Sequence, residues 1–464
     1  MNSVEVIVRI LFVLLAIYTI FFLVQWVVGL FVSMEHLRNY KERCSTYDAI
    51  YPTELAKKYP ISIIIPAHNE ASCIKDTIAS LLENSYPNLH VIVVDDGSTD
   101  QTVQTVIEEF SLVEQEVSIQ QELHTQPVKK VYGIQIEDTS ITLVMKENGG
   151  KADALNCGLN MCHTPYCVIV DADTKVEEGA LHYMATQFLL DSKVIVCAGL
   201  VSNQIYKTKK YKALNIFQRQ LVIFQKLEYY RTFYLQRILF DRLNANMIVS
   251  GAFAMFKTEM LKNIGGYHTS TIGEDMEMTM RLHAFCHSLK RNYRIAYIPE
   301  ARCYTQLPFT YRDYYNQRRR WHIGMIQSLK HHFYMLGNYH YGMAGFMSGI
   351  FIMWYELIAP FVEIIGVVSL FLAWYLDLLN PSITMNIIVF SLLLNALNQY
   401  VLIHGLKKFG IENLSISLEI KLFLTSMLEW VFFHPFNVVI KLIAFFTQKR
   451  NKMNWKHITR EMDA

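Results

Sequence analysis

None of the eight cysteines stands in a C-x-x-C pair, and no zinc-finger or other nucleic-acid module spacing occurs in the 464 residues. Cys157, Cys162 and Cys167 recur every five residues, but that run passes from a predicted helix into a predicted strand, which is poor geometry for a metal. Buried apolar thiols in a reduced compartment are expected instead of a disulfide framework. No G-x-G-x-x-G follows the first predicted strand and no P-loop occurs, which argues against a dinucleotide cofactor and against an ATPase. Charge is scarce and balanced, with 18% charged residues and a net charge of +2, so no nucleic-acid partner is expected. No internal repeat or low-complexity tract is present.

Apolar residues fill the space, at 52% of the chain. Residues 11–34 form an apolar run long enough to span a bilayer and too long for the core of a signal peptide. Arg9 alone precedes it, whereas Arg38, Lys41 and Arg43 follow, so the positive-inside rule places the next segment in the cytosol and the N-terminus outside. Residues 1–45 are assigned to this anchor and its basic flank.

Over 46–306 the pattern becomes that of a soluble α/β domain. The β-branched runs "ISIII" (61–65), "VIVV" (91–94), "ITLV" (141–144) and "CVIV" (167–170) alternate with amphipathic stretches at 71–84 and 151–162. Continuous apolar strands separated by helices predict a parallel sheet, whose ligands bind beyond the C-terminal strand ends. The stretch 213–243 reads as a helix packed on that domain or on the membrane surface. Residues 307–342 are taken as amphipathic interfacial helices, and 343–464 as a membrane region with a basic tail, its segments near 343–376, 385–404 and 417–446. Three spans would leave that basic tail outside, so either one segment does not cross or one is a hairpin. Glu356, Glu363, Asn395, Gln399, Glu429 and His434, interleaved with Trp354, Tyr355, Trp430 and Phe433, suit either a polar conduit or interfacial helix ends.

The chemistry-bearing residues cluster at the predicted strand ends. Asp171 and Asp173 in "IVDADT" share a face if extended and suit Mg²⁺ or Mn²⁺, although a helix-capping turn would use the same residues. Asp95 and Asp96 in "VVDDGSTD" suit a base or ribose as well as simple turn chemistry. Lys151 opens a helix, where a cation is disfavoured unless an anion binds there. Glu274 and Asp275 stand in a first helical turn, as dipole partners or as a general base. The arginines of "QRRRW" (317–321) suit a membrane flank as well as an anion.

In order, "PAHNE", "DDGSTD", "GGKADALNCGL", "DAD", "SGAFAMF", "GED" and "QRRRW" resemble the signature of family-two glycosyltransferases of the GT-A fold, over about residues 58–325. Gln317, Arg320 and Trp321 match the Q-x-x-R-W mark of membrane-embedded cellulose, hyaluronan and poly-N-acetylglucosamine synthases. The resemblance implies a Rossmann-like cytosolic transferase domain joined to transmembrane helices in a multi-pass cell-membrane protein. Ala67, Glu70, Asp95, Asp96, Lys151, Asp171, Gln317 and Arg320 would bind a UDP-sugar, and Asp171 with Asp173 would hold Mg²⁺ or Mn²⁺. Asp275, beside Glu274, would be the base; Ser250, Gly251 and Trp321 would face the acceptor. The expected activity is inverting transfer from UDP-N-acetylglucosamine, or next UDP-glucose, to a growing β-linked polysaccharide, processive and coupled to export. A non-processive transfer to a lipid is the alternative. Glycan or lipid acceptors and membrane lipids are the implied partners, and no accessory export or regulatory subunit is visible. Gly273 replaces the family's usual threonine, and one N-terminal span stands where many synthases have two or more.

Overall fold

The four β-branched runs become four neighbouring parallel strands. The computed structural model describes residues 3–50, 59–84, 86–117, 121–203 and 209–448; most of the basic tail expected after residue 447 lies outside them. Strands β1 (Ile61–Ala67), β2 (Leu89–Asp95), β3 (Val113–Gln115), β4 (Val128–Ile136), β5 (Thr139–Lys146), β6 (Tyr166–Val170), β7 (Lys175–Val176), β8 (Val194–Ser202), β9 (Phe253–Lys257) and β10 (Arg294–Tyr304) form one sheet, ordered β3-β4-β5-β2-β1-β6-β9-β8-β10-β7. All seven residues of β1 are buried, as a strand covered on both faces must be.

The sheet is mixed, not purely parallel. β9 runs antiparallel between β6 and β8, and β3–β4–β5 form an antiparallel edge. The chain reaches β9 after a long helical excursion, so it re-enters the sheet from the opposite end; periodicity carries no information about that direction. Register then aligns the strand ends. Ala67 lies opposite Asp95, Asp95 opposite Met145, and Val170 opposite Phe253. The loops after β5, β2, β1 and β6, and the loop before β9, therefore share one edge.

The excursion comprises Ile216–Arg231, a π-turn at Thr232–Gln236, and Arg237–Arg242. An Asn215–Gln218 capping box starts it, and residues 221–227 are continuously buried. This helix is wedged between sheet and membrane helices: Gln225 Nε2 donates to Pro308 O at 3.0 Å, and Phe224 stacks on Phe433 at 4.7 Å.

Among the described residues, four helices are long and apolar enough to cross a membrane: Val6–Arg38, Ala344–Tyr375, Pro381–Lys408 and Ile416–Thr447. Gly405 abuts Met34, and Gly366 abuts Leu15, which pairs the first three helices in alternating direction. The fourth differs. Before its start, Ile411 O accepts from Arg302 Nη2 at 3.0 Å; at its finish, Thr447 Oγ1 accepts from Arg319 Nη2 at 3.0 Å. Both ends are therefore fastened to elements on the sheet side.

Candidate active site

The loops at the aligned strand ends are zipped together by side chains. Asn69 Oδ1, on the loop after β1, accepts from Thr99 N at 2.7 Å and Asp100 N at 3.2 Å. Ser98 Oγ accepts from Asn69 N at 2.9 Å in return. Asn69 takes a left-handed φ of 56°, which asparagine tolerates better than most residues. Asp96 is buried, and both its oxygens are filled: Gly149 N reaches Oδ1 at 2.9 Å, Gly150 N reaches Oδ2 at 2.7 Å, and Lys146 Nζ reaches Oδ1 at 2.5 Å. It thus holds the Gly149–Gly150 turn that launches the helix Lys151–Asn160. Lys146, fully buried, also bridges to Asp153 at 2.6 Å. Asp95 accepts from Ser98 N at 3.3 Å, and burial raises its carboxyl above the usual value despite that bond.

Asp171 and Asp173 follow β6 in a turn closed by Thr174 N donating to Asp171 O at 3.0 Å. The expectation of an extended i, i+2 face is corrected here. The strand ends at Val170 and the turn gathers the two carboxylates. Burial, and then the charge of Asp171, push the Asp173 carboxyl up to about 7. Lys151 Nζ lies 2.7 Å from Asp171 and 3.3 Å from Glu274, so intramolecular carboxylates answer its position at a helix start. Burial disfavours the Lys151 charge, but Asp171, Glu274 and Asp275 outweigh it and raise the amine above its ordinary value. Gly251 separates the two halves of the site. A Cβ there would lie 3.3 Å from Lys151 Nζ and 3.6 Å from Asp275 Cβ.

Glu274 and Asp275 open the helix Glu274–Ser288. Burial raises the Glu274 carboxyl, Lys151 opposes it and Asp275 adds to it. The turn before them is docked on the helix Tyr311–His331, which carries the three arginines. A Cβ on Gly273 would meet Gly324 C at 2.8 Å, and one on Gly324 would meet Gly273 N at 2.7 Å. Ser328 Oγ bonds the carbonyls of both glycines, at 3.2 and 2.9 Å, and Ile272 N donates to Gln327 Oε1 at 2.9 Å. The unusual glycine at 273 is therefore matched by a second glycine across the contact.

The three arginines diverge. Arg318 pairs with Glu228 at 2.5 Å and lies 4.5 Å from the ring of Trp321. Arg319 bonds Thr447. Arg320, among the described residues, has no ion pair or hydrogen-bond partner and lines the cavity. Gln317 is 8% exposed, and its Oε1 is buried without a partner.

That cavity measures about 2470 Å³. Glu70, Lys151, Asp171, Asp173, Ser250, Gly251, Glu274, Asp275, Gln317, Arg320 and Trp321 all line it, whereas Ala67, Asp95 and Asp96 stand behind its wall. It continues between the membrane helices past Tyr355, Glu356, Glu363, Asn395, Glu429, Trp430 and His434. There each carboxylate has a partner: Glu356 with Lys441 at 2.6 Å, Glu363 with His434 at 2.8 Å, and Glu429 with Arg231 at 2.7 Å. Gln399, Trp354 and Phe433 lie off the lining. Two residues that organise the site escape a reading of the sequence. The only signal for Lys146 is a lysine closing the apolar run "ITLVMK", and Gly324 has none beyond being a glycine inside a helix.

Two carboxylates close together on a cavity wall, one with a raised pKa, fit a hard divalent cation. Among the described residues no third His, Cys, Asp or Glu joins them, so substrate oxygens and water would complete the shell.

Residues 166–439, more than half of the chain, match Glycosyl transferase family group 2, and residues 62–119 match Glycosyl transferase family 2. The poly-beta-1,6-N-acetyl-D-glucosamine synthase of Staphylococcus epidermidis RP62A is 28% identical over 307 residues, 66% of this chain and 63% of that protein. The synthase of the same name from Staphylococcus aureus COL is 26% identical over 68% of this chain and 66% of that protein. The chain thus spans just under two thirds of these relatives. A mannosyltransferase from Pyrobaculum calidifontis, in complex with GDP-Man and Mn²⁺, superposes with a TM-score of 0.52 at 20% identity, covering 83% of this chain and 97% of that one. That likeness shows the fold.

Proposed function

Because this chain belongs to Glycosyl transferase family group 2, we propose that it extends a β-linked polysaccharide from UDP-N-acetylglucosamine, with inversion at the anomeric carbon and without releasing the chain between transfers. It is a glycosyltransferase with a GT-A-like fold and helices fit to cross a membrane. One observation carries the finer reading. A single cavity runs from the carboxylates at the sheet edge, past Trp321, to Tyr355 and Trp430 between the membrane helices. A glycan made at one end has a continuous path with aromatic faces and partnered carboxylates. The names of the staphylococcal relatives support the choice of donor sugar.

Residue roles follow from position. Asp171 and Asp173 would hold Mg²⁺ or Mn²⁺, which when bound would neutralise charge on the departing diphosphate. Lys151 exchanges its contact with Asp171 for the diphosphate while keeping that with Glu274, and the unpaired Arg320 approaches the same group with Gln317 beside it. Asp275, across Gly251 from Lys151, takes the proton of the attacking acceptor hydroxyl. Glu274 keeps Lys151 in place, and Trp321 offers its face to the acceptor sugar. Glu70 lines the nucleotide end. Ala67, Asp95 and Asp96 act from behind the wall: Asp96, with both oxygens filled, holds the Gly149–Gly150 turn for the donor.

For topology we propose that three helices cross and the fourth lies along the cytosolic interface. The attachment of both its ends to the sheet side supports this. The sheet domain then faces the cytosol, the Ser3 end of the first helix faces out, and the Thr447 end of the fourth helix stays inside. Purified full-length chain with radiolabelled UDP-N-acetylglucosamine, UDP-glucose and GDP-mannose, followed by product sizing, tests the donor and the mode together. Long polymer from UDP-N-acetylglucosamine is expected. Preference for another donor, or one sugar per lipid, would overturn the reading.

A further inference from the structure

Three further polar residues line the cavity beside those assigned to the diphosphate. Arg237 is the first residue after the π-turn Thr232–Gln236, and such turns re-aim the side chains that follow them. It lines the cavity and, among the described residues, its guanidinium has no ion pair or hydrogen-bond partner. Asn246 Nδ2 donates to Arg237 O at 3.4 Å, which leaves Asn246 Oδ1 buried and unpartnered in a residue 3% exposed. Thr271, also 3% exposed, has a buried unpartnered Oγ1 and stands on the cavity wall two positions before Gly273. Burial lowers the Arg237 pKa, opposed by Tyr297 and Asp275, which places the guanidinium within electrostatic reach of the proposed base. Unpaired buried groups of this kind are costly unless a ligand completes them.

The location indicates which ligand. Lys151, Asp171 and Arg320 already face the diphosphate. Arg237 lies toward the membrane, where Phe240 on its own helix packs 5.0 Å from Phe351 and Leu235 packs on Gly29. An acceptor approaching Asp275 from the membrane cavity passes this corner. The guanidinium supplies donors, while Asn246 Oδ1 and Thr271 Oγ1 supply acceptors. Resting on the glycan-acceptor reading above, we propose that Arg237, Asn246 and Thr271 form an acceptor subsite that binds an N-acylated sugar, with Arg237 donating to the acyl carbonyl oxygen and Asn246 Oδ1 accepting from a neighbouring N–H or O–H.

The test uses the full chain in lipid nanodiscs with two probes, a β-linked N-acetylglucosamine tetramer and its fully deacetylated form. Arg237→Gln and Asn246→Leu should raise the KM for the acetylated tetramer by roughly ten- to a hundredfold, the size of a lost hydrogen bond to a charged or buried group. Preference for the acetylated over the deacetylated tetramer should shrink, UDP affinity by calorimetry should stay within about twofold, and Arg237→Lys should recover part of the loss. Unchanged acceptor KM and preference would overturn the subsite. So would a parallel loss of UDP affinity, which would make Arg237 a donor or folding residue. Competition by a polyprenyl phosphate that Arg237→Gln abolishes would also overturn it, by reassigning the corner to a phosphate. If the wild type hydrolyses UDP-N-acetylglucosamine but accepts no saccharide, the glycan-acceptor reading itself falls and the subsite with it.

Discussion

Gly324→Ala tests whether the contact between two helices sets the catalytic distance. The added Cβ would lie 2.7 Å from Gly273 N and 2.8 Å from Gly273 Cα, against an ordinary contact of 3.4–4 Å. The helix Tyr311–His331 must therefore back away by roughly 1 Å. Overpacking of this kind costs about 1–3 kcal/mol, while alanine in a helix interior gains about 1 kcal/mol over glycine. Net stability should fall by only ~0–2 kcal/mol. Catalysis has no such compensation. Asp275 follows Gly273 by two residues and Trp321 precedes Gly324 by three, so the proposed base and the proposed acceptor platform separate by the same displacement. A misplacement of about 1 Å can cost on the order of 10²-fold in rate. Turnover per correctly inserted molecule, measured beside thermal unfolding, should show a large loss of transfer with a small loss of stability. Gly273→Thr, which restores the residue usual in the family, should be equally harmful, because its Cβ would meet Gly324 C at 2.8 Å. Transfer within about threefold of wild type in both variants would refute the argument.

Asp275→Asn should abolish transfer by roughly 10²–10⁴-fold while UDP binding persists, whereas Arg320→Ala should weaken both; normal UDP affinity and turnover in Arg320→Ala would return the arginines to a lipid role. Asp173→Asn should remove most activity with the fold intact by circular dichroism, and full transfer by the wild type in EDTA would exclude the metal. Glu277 is fully buried, and although burial raises its pKa, hydrogen bonds from His332 and Arg281 bring it down from 4.5 to about 2. Its folded value is depressed, so its stabilisation of roughly 3 kcal/mol is present above about pH 4.5 and is lost as pH falls toward 2; Glu277→Gln should be less stable at pH 7 and lose less stability on acidification. Single cysteines at Ser415 and Gln448 should label from the same side of the membrane in sealed vesicles, and labelling from opposite sides would show that the fourth helix crosses.

The strands of the parallel core were legible because a strand buried on both faces must be continuously apolar, and runs 61–65, 91–94, 141–144 and 167–170 are. That most motif residues would gather on one cavity was legible because loops at the same ends of neighbouring parallel strands share an edge. The membrane helices were legible from length and hydropathy alone. None of these depends on what lies opposite each element. The direction of β9 does, since antiparallel and parallel strands share one pattern. So does the division among the arginines: "RRR" is one run of charge until Glu228 and Thr447, from distant segments, claim two of them and leave Arg320 facing the cavity. The partners at the two ends of the fourth helix are likewise distant, Arg302 at one and Arg319 at the other, and no hydropathy window contains them. Gly324 is the plainest case: alone it is a weak residue in a helix, and its purpose exists only where Gly273 presses against it. Local composition determined which element each segment forms; pairings remote in sequence decided which charges found a partner within the protein and which were left facing the cavity.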